Sequence, residues 1–369
     1  MVRPAQYIRR MAGSTFGKLF QLTTFGESHG PAIGGVVDGC PAGLRVDESA
    51  VQAELDRRRP GSTPLGTTRR EADTVEFLSG LLEGVTLGTP IGFIIRNADA
   101  RPADYGHLQQ AYRPGHADLT WEQKFGIRDH RGGGRASARE TAVRVAAGAL
   151  ARQLLATGGI QVRAWVSQVG EERLLKPWQE LDLEAVYRSD VRCPDEPAAA
   201  RMEALIGRVR REGDTLGGRI SCVVSGVPPG LGEPVFDKLH ADLAKALFSI
   251  NAVKGVQFGS GFDAIAMRGS AHNDAYVAKQ GRIGTVTNRS GGIQGGISNG
   301  EDIELDVAFK PVSTLLRPQS SVDNQGNAVM LEGKGRHDPC VVPRAVPIVE
   351  AMACLVLADH LLRQRTARV

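Results

Sequence analysis

A chain of 369 residues, 41% of them apolar, can bury one large core or two small ones. Its formal charge of +4 is too mild for a nucleic-acid binder, and aromatic residues, at 5%, offer little for base stacking, so no nucleic-acid partner is expected. The five cysteines (Cys40, Cys193, Cys222, Cys340, Cys354) are scattered without a C-x-x-C pair, which argues against a zinc ribbon or disulfide framework and fits a reducing cytoplasm.

Residues 1–10 read as a short basic extension, a candidate for disorder, with no apolar core for a secretory signal. Beyond them 11–369 read as one domain without a convincing linker. A helix is predicted over 48–58, stopped by Pro60, and another over 137–155, where Ser137 and Glu140 have capping-box spacing. Strands are expected at 34–38, 160–166, 219–224 and 303–309, from β-branched content or alternation. Further helices are predicted over 199–212, 236–250 and 343–365, with Pro343 in a first turn. The apolar run AMACLVLA between Glu350 and Asp359 is too short to span a bilayer, so no membrane is expected. Residues 268–300, rich in Gly, Asn and Ser, read as long loops. Strands and helices interleave without a β-α-β-α rhythm, which favours a mixed α+β class.

The chemistry concentrates in 113–150. Gly132-Gly133-Gly134 lets backbone N–H groups approach a ligand, just ahead of a helix whose N-terminus carries partial positive charge. Arg128, Arg131, Arg135 and Arg139 surround that end. Cations there oppose the dipole by about 0.3–1 kcal/mol each, so stacking them suggests an anion that normally occupies the site. His29, between glycines in GESHG, and His116, in RPGHAD, are candidate acids or bases near neutral pH. Asp118 could orient His116 or cap a helix beginning at Leu119. In GRHDPC, Arg336 could hold an anion and Asp338 could act as a base, although Asp-Pro is also a common turn. Arg58 stands at a helix C-terminus, where a cation is favoured anyway. A charged hydrogen bond contributes about 1.5–3 kcal/mol, whereas micromolar binding needs about 8 kcal/mol, so a polyanion requires several converging arginines: Arg58, Arg113, Arg135, Arg139 and Arg336 supply them. The stretch GSTFGKL lacks Walker spacing, and neither G-x-G-x-x-G nor G-x-S-x-G appears in the required setting.

Taken in order, FGESHG (25–30), DRRRPG (56–61), RPGHAD (113–118), RGGGRASARET (131–141), SGVPPGLGEPVFD (225–237), SINAVKG (249–255), GGIQGGISNG (291–300) and GRHDPC (335–340) resemble the chorismate synthase family. The likeness runs from Met11 to about Arg365. It implies a single α+β domain, a sandwich of antiparallel sheets around helices, assembled as a homotetramer. It implies a carbon–oxygen lyase of the shikimate pathway, on the route to aromatic amino acids. That enzyme eliminates phosphate from 5-enolpyruvylshikimate 3-phosphate to give chorismate and needs reduced FMN without net redox change. By the same likeness His29, His116 and Asp338 are catalytic, and Arg58, Arg113 and Arg139 bind substrate. Arg135, Ala136, Ser137, Asn251, Ala252, Gly295, Lys310, Pro311, Val312, Ser313, Thr314 and Arg336 hold FMN. Some members carry an arginine where Pro64 stands here, in a region linked to NADP binding. An external flavin reductase is therefore expected as the source of reduced FMN. The competing readings are an RNA binder built on HRGGGRASAR, which the apolar-faced helix that follows argues against, and a flavin redox enzyme with another substrate. A non-catalytic member is disfavoured by the joint presence of His29, His116 and Asp338.

Overall fold

The computed structural model describes residues 13–67, 71–99, 106, 108–279, 281–332 and 337–368. Ten strands make two antiparallel sheets. The first holds Thr15–Phe16 (β1), Gln21–Phe25 (β2), Ala32–Asp38 (β3), Val75–Phe77 (β4) and Ile91–Arg96 (β5), in the order β1-β2-β3-β5-β4. The second holds Gln161–Val169 (β6), Glu172–Arg173 (β7), Gly218–Ser225 (β8), Val253–Phe258 (β9) and Ile303–Phe309 (β10), in the order β9-β10-β8-β6-β7. Alternation selects the inner faces: Ile303, Leu305, Val307 and Phe309 are buried while Ala308 is exposed. The longer helices are Glu48–Arg58 (α1), Asp118–Phe125 (α2), Thr141–Ala156 (α3), Glu196–Arg211 (α4), Leu239–Phe248 (α5) and Val342–Gln364 (α6). α3 packs on the first sheet, α6 on the second, and the two helices pack on each other, so the core is a sheet–helix–helix–sheet sandwich.

The expected α+β sandwich is the observed fold, and the four expected strands are long members of the sheets. Helix α1 begins and ends at the expected residues: Asp47 caps it by accepting from the Ala50 N–H at 3.0 Å, and Pro60 follows. Two expectations need correction. The helix expected from Ser137 opens as 3-10 turns at Gly134–Ala136 and Ala138–Glu140, and α3 starts only at Thr141. No capping box forms there, because Glu140 turns forward to Arg144 Nε at 2.8 Å. The segment 268–300 is not all loop: it contains a one-turn helix, Gly269–His272, and the hairpins Tyr276–Lys279/Arg282–Thr285 and Ile293–Gln294/Ile297–Ser298. The helix expected over 343–365 is found as α6: it is long and apolar enough to cross a membrane by length and composition, and 89% of its apolar window is buried inside the fold. The acids that interrupt its apolar run are core residues with partners. Glu350 accepts from Arg152 Nη2 and the Ala164 N–H, both at 2.8 Å, and Asp359 accepts the N–H groups of Lys18, Leu19 and Phe20.

All five cysteines are free and buried, as the absence of a disulfide framework required. Burial pushes the Cys340 and Cys354 thiols up to about 12, so they pack as small apolar groups. The extension 1–10 lies outside the described residues.

Candidate active site

The connections β2–β3, β5–α2 and α2–α3, together with the residues ahead of α6, meet around a cavity of about 380 Å³. His29 enters from the turn after β2. Gly26, at φ +88°, makes that turn, and a Cβ there would lie 2.3 Å from the Ala32 carbonyl oxygen. The His29 ring is buried, with Nδ1 3.0 Å from Ser28 Oγ. His116 sits in the turn before α2, its Nδ1 3.1 Å from both Asp118 Oδ1 and Arg113 Nη2. The glycine run explains how the two imidazoles come to face one space. A Cβ on Gly132 would lie 2.1 Å from His29 Cε1, and one on Gly133 3.1 Å from His116 Cε1. These glycines therefore serve the histidines at least as much as they free backbone N–H groups.

Asp118 is buried and accepts from Arg113 through the backbone N–H at 3.1 Å, Nε at 2.8 Å and Nη2 at 2.8 Å. Burial alone would raise its carboxyl, but hydrogen bonds from Arg113 and His116 outweigh it and hold the group well below the usual carboxylate range. It opens α2 without capping it. Asp338 accepts from the Thr67 N–H at 2.8 Å on one oxygen and from Arg344 Nη1 on the other. Arg58, at the last position of α1, turns inward instead of into solvent. Its Nη1 meets Asp73 Oδ2 at 2.8 Å, its Nη2 the Ala138 carbonyl at 2.9 Å and its Nε Thr141 Oγ1 at 3.3 Å. Burial pulls its pKa down to about 10, still a cation at neutral pH. Arg139 Nη1 meets the other oxygen of Asp73, while its Nε and Nη2 reach Asn97 Oδ1 at 2.9 Å and the Arg96 carbonyl at 3.2 Å.

Of the four arginines expected around the glycine run, Arg139 alone lines this cavity among the described residues. Arg128 turns to Glu122 and the carbonyls of Leu108, Gln109 and Ala111, and Arg131 folds back on Asp129. Arg135 binds Thr24 Oγ1 at 2.6 Å and faces a separate groove along α2. Among the described residues the surplus charge comes from Arg58, Arg113, Arg139, Lys310 and Arg344, brought together from distant parts of the sequence, with Asp99 and Asp338 as the only acids lining the cavity. Asp73 and Arg344 escaped the sequence reading. Asp73 sits in no motif, and its partners are 15 and 66 residues away, so no local signal could have found it.

Along another wall lie Ala136, Ser137, Asn251, Ala252, Lys310, Val312, Ser313 and Thr314. Asn251 Nδ2 donates to the Ala136 carbonyl at 3.0 Å, and the Lys310 N–H to the Ala252 carbonyl at 2.9 Å. Ala252 holds φ +70°, costly for a residue with a Cβ and frequent at ligand clamps. Lys310 Nζ meets the Ser313 hydroxyl at 2.5 Å and the Pro311 carbonyl at 3.3 Å, both neutral. An ammonium with a hydroxyl beside it and, among the described residues, no carboxylate on it suits a phosphate. Pro311 joins this strip without lining the cavity. Gly295 turns the hairpin at Ile293–Gln294/Ile297–Ser298, away from the cavity, and Arg336 lies outside the described residues.

Paired imidazoles, a braced carboxylate and converging guanidiniums are the equipment of an enzyme acting on an anionic metabolite. The comparisons specify which kind. The family model for chorismate synthase matches residues 20–362. The chain is 58% identical to a chorismate synthase of Christiangramia forsetii over 97% of this chain and 100% of that one. It is 56% identical to one from Synechococcus elongatus over 96% and 98%. A crystal structure of chorismate synthase superposes with a TM-score of 0.76 at 32% identity, covering 94% of this chain and 93% of that one. The chain belongs to the chorismate synthase family.

Proposed function

We propose that this cavity takes 5-enolpyruvylshikimate 3-phosphate together with reduced FMN, and that the chain catalyses the 1,4-elimination that releases phosphate and gives chorismate. The observation that carries the reading is the convergence of His29, His116 and Asp338, from three distant motifs, on one cavity lined by Arg58, Arg113, Arg139 and Arg344. The substrate carries two carboxylates and a phosphate, which matches that cationic surplus. Lys310, Ser313 and Thr314 would hold the flavin phosphate, with Ala136, Ser137, Asn251 and Ala252 along its length. Bound reduced FMN would supply the electron density that eases C–O cleavage at a substrate whose C6 hydrogen is not acidic. His29 would protonate the departing phosphate. His116, braced by Asp118, would hold a proton beside the flavin. Asp338, fixed by Thr67 and Arg344, would assist removal of the C6 hydrogen.

Mixing the protein anaerobically with substrate and either reduced or oxidised FMN tests this reading. Phosphate release and chorismate absorbance with reduced FMN alone is the expected result. Absence of product in both mixtures, with the protein folded and flavin bound, would overturn it. Pro64 carries no charge for a nicotinamide nucleotide, which supports an external flavin reductase, and NADPH with oxidised FMN should then give no turnover. Homotetramer assembly is supported by large apolar side chains left in solvent, Phe236 at 90% exposure and Ile265 at 82% among them. A native mass of four chains is the expected reading.

A further inference from the structure

We infer that Asp73 is the positioning residue of the substrate cavity: by binding Arg58 and Arg139 on its two oxygens, it fixes both guanidiniums in the one orientation that presents them to the substrate. The inference rests on the proposed lyase function.

Asp73 has 2% exposure, and Arg58 and Arg139 have 2% and 3%. Each guanidinium has five N–H donors. Arg58 spends three of its donors on Asp73, Ala138 and Thr141, and Arg139 spends three on Asp73, Asn97 and Arg96. Among the described residues two donors remain on each, on side chains that line the cavity. One carboxylate shared by two guanidiniums also leaves a positive charge over, which a phosphate or carboxylate of the substrate can neutralise. The backbone supports the assignment. Asp73 is held at φ +49°, outside the regions that L-residues prefer. Gln52, one and a half turns before Arg58 on α1, pins this segment by donating to the Asp73 carbonyl at 3.4 Å and accepting from the Val75 N–H at 3.1 Å. Helix α1 thus positions both the arginine and the acid that aims it.

The sign of one substitution separates positioning from bulk charge. Asp73→Asn removes a negative charge from an anion site. On Coulomb grounds alone the polyanionic substrate should then bind as well or better. If Asp73 positions the arginines, the substrate should bind worse. The full chain loaded with FMN is assayed with reduced flavin, and competent sites are counted by oxidised-FMN binding. The expected result is a KM for 5-enolpyruvylshikimate 3-phosphate raised about 10- to 100-fold, with the flavin dissociation constant within about twofold of the parent. An unchanged or lowered KM overturns the inference, while inactivity of the parent chain would instead overturn the lyase reading. Should Asp73→Asn fail to fold, Thr141→Val leaves the ion pairs intact and removes the long Nε contact together with the hydroxyl's own bond to the Ala138 carbonyl. A rise in KM below about threefold supports Asp73 as the fixing group. A rise of tenfold or more assigns the orientation to Thr141 and overturns the inference.

Discussion

At the scale of single residues, the site is organised by acids that hold cations. Asp118 is the clearest case, since it binds Arg113 three times and faces the Nδ1 of His116. Asp118→Asn keeps the volume but sets an N–H donor against a donor on at least one side. The imidazole then loses the partner that fixes its ring, and a mostly buried guanidinium loses its counter-charge. The expected loss in kcat is on the order of 10²-fold per flavin-binding site, the low end of what a positioned proton-transfer group contributes. Unchanged kcat in a folded variant would mean that Asp118 only braces Arg113. His29, His116 and Asp338 were legible because glycine, proline or charge surrounds each in the sequence. The direction of a side chain was not. Arg135 and Arg139 are four residues apart in one motif, yet they serve a groove and a cavity on different sides of the glycine run. That difference arises in the 3-10 turns between them, whose pitch no apolar period announces.

At the scale of elements, the helices were legible where a cap or a proline marks an end and the strands where alternation marks a face. The crossing of α3 and α6 was not, because it depends on a small residue meeting another across the core. Gly148 lies mid-helix, where alanine would normally be better by about 1 kcal/mol. A Cβ there would sit 2.4 Å from Ala351 Cβ and 2.5 Å from Ala351 Cα, so the helices would have to part. Overpacking costs about 1–3 kcal/mol. Gly148→Ala should therefore lower stability by up to about 2 kcal/mol in denaturant titration, against the helix propensity scale. Stabilisation would show that the two layers can separate without loss. Helix α6 was legible to within a residue at each end, but the burial of its acids was not. Glu350 and Asp359 look like interruptions in the sequence, and only the opposing Arg152 and the N–H groups of 18–20 make them core residues.

At the scale of the whole molecule, the buried polar groups set how folding responds to acid. His360 on α6 has 1% exposure, and its Nε2 is 3.0 Å from Asp242 Oδ2 on α5. Burial first and the Arg363 guanidinium second pull its pKa below the ordinary value, and Asp242 and Asp359 only partly oppose them. Burial, with Lys238 beside it, lowers His240 in the same direction. A histidine whose folded pKa is depressed takes up its proton more readily in the unfolded chain. The stability it contributes is thus complete above about pH 6.5 and is lost as pH falls from there through the folded pKa. The carboxyls of Asp73 and Asp118 are also depressed, despite burial, by their arginines, so their contribution is complete above about pH 4 and fails only below it. The histidine window opens at the higher pH. Between pH 7.5 and 5.5 the chain should lose stability through its histidines while Asp73 and Asp118 stay ionised. His360→Gln, compared with the parent by denaturant titration at both pH values, should show a smaller loss across that interval. An equal loss in the two proteins would place the acid sensitivity elsewhere and leave the α5–α6 contact indifferent to protons.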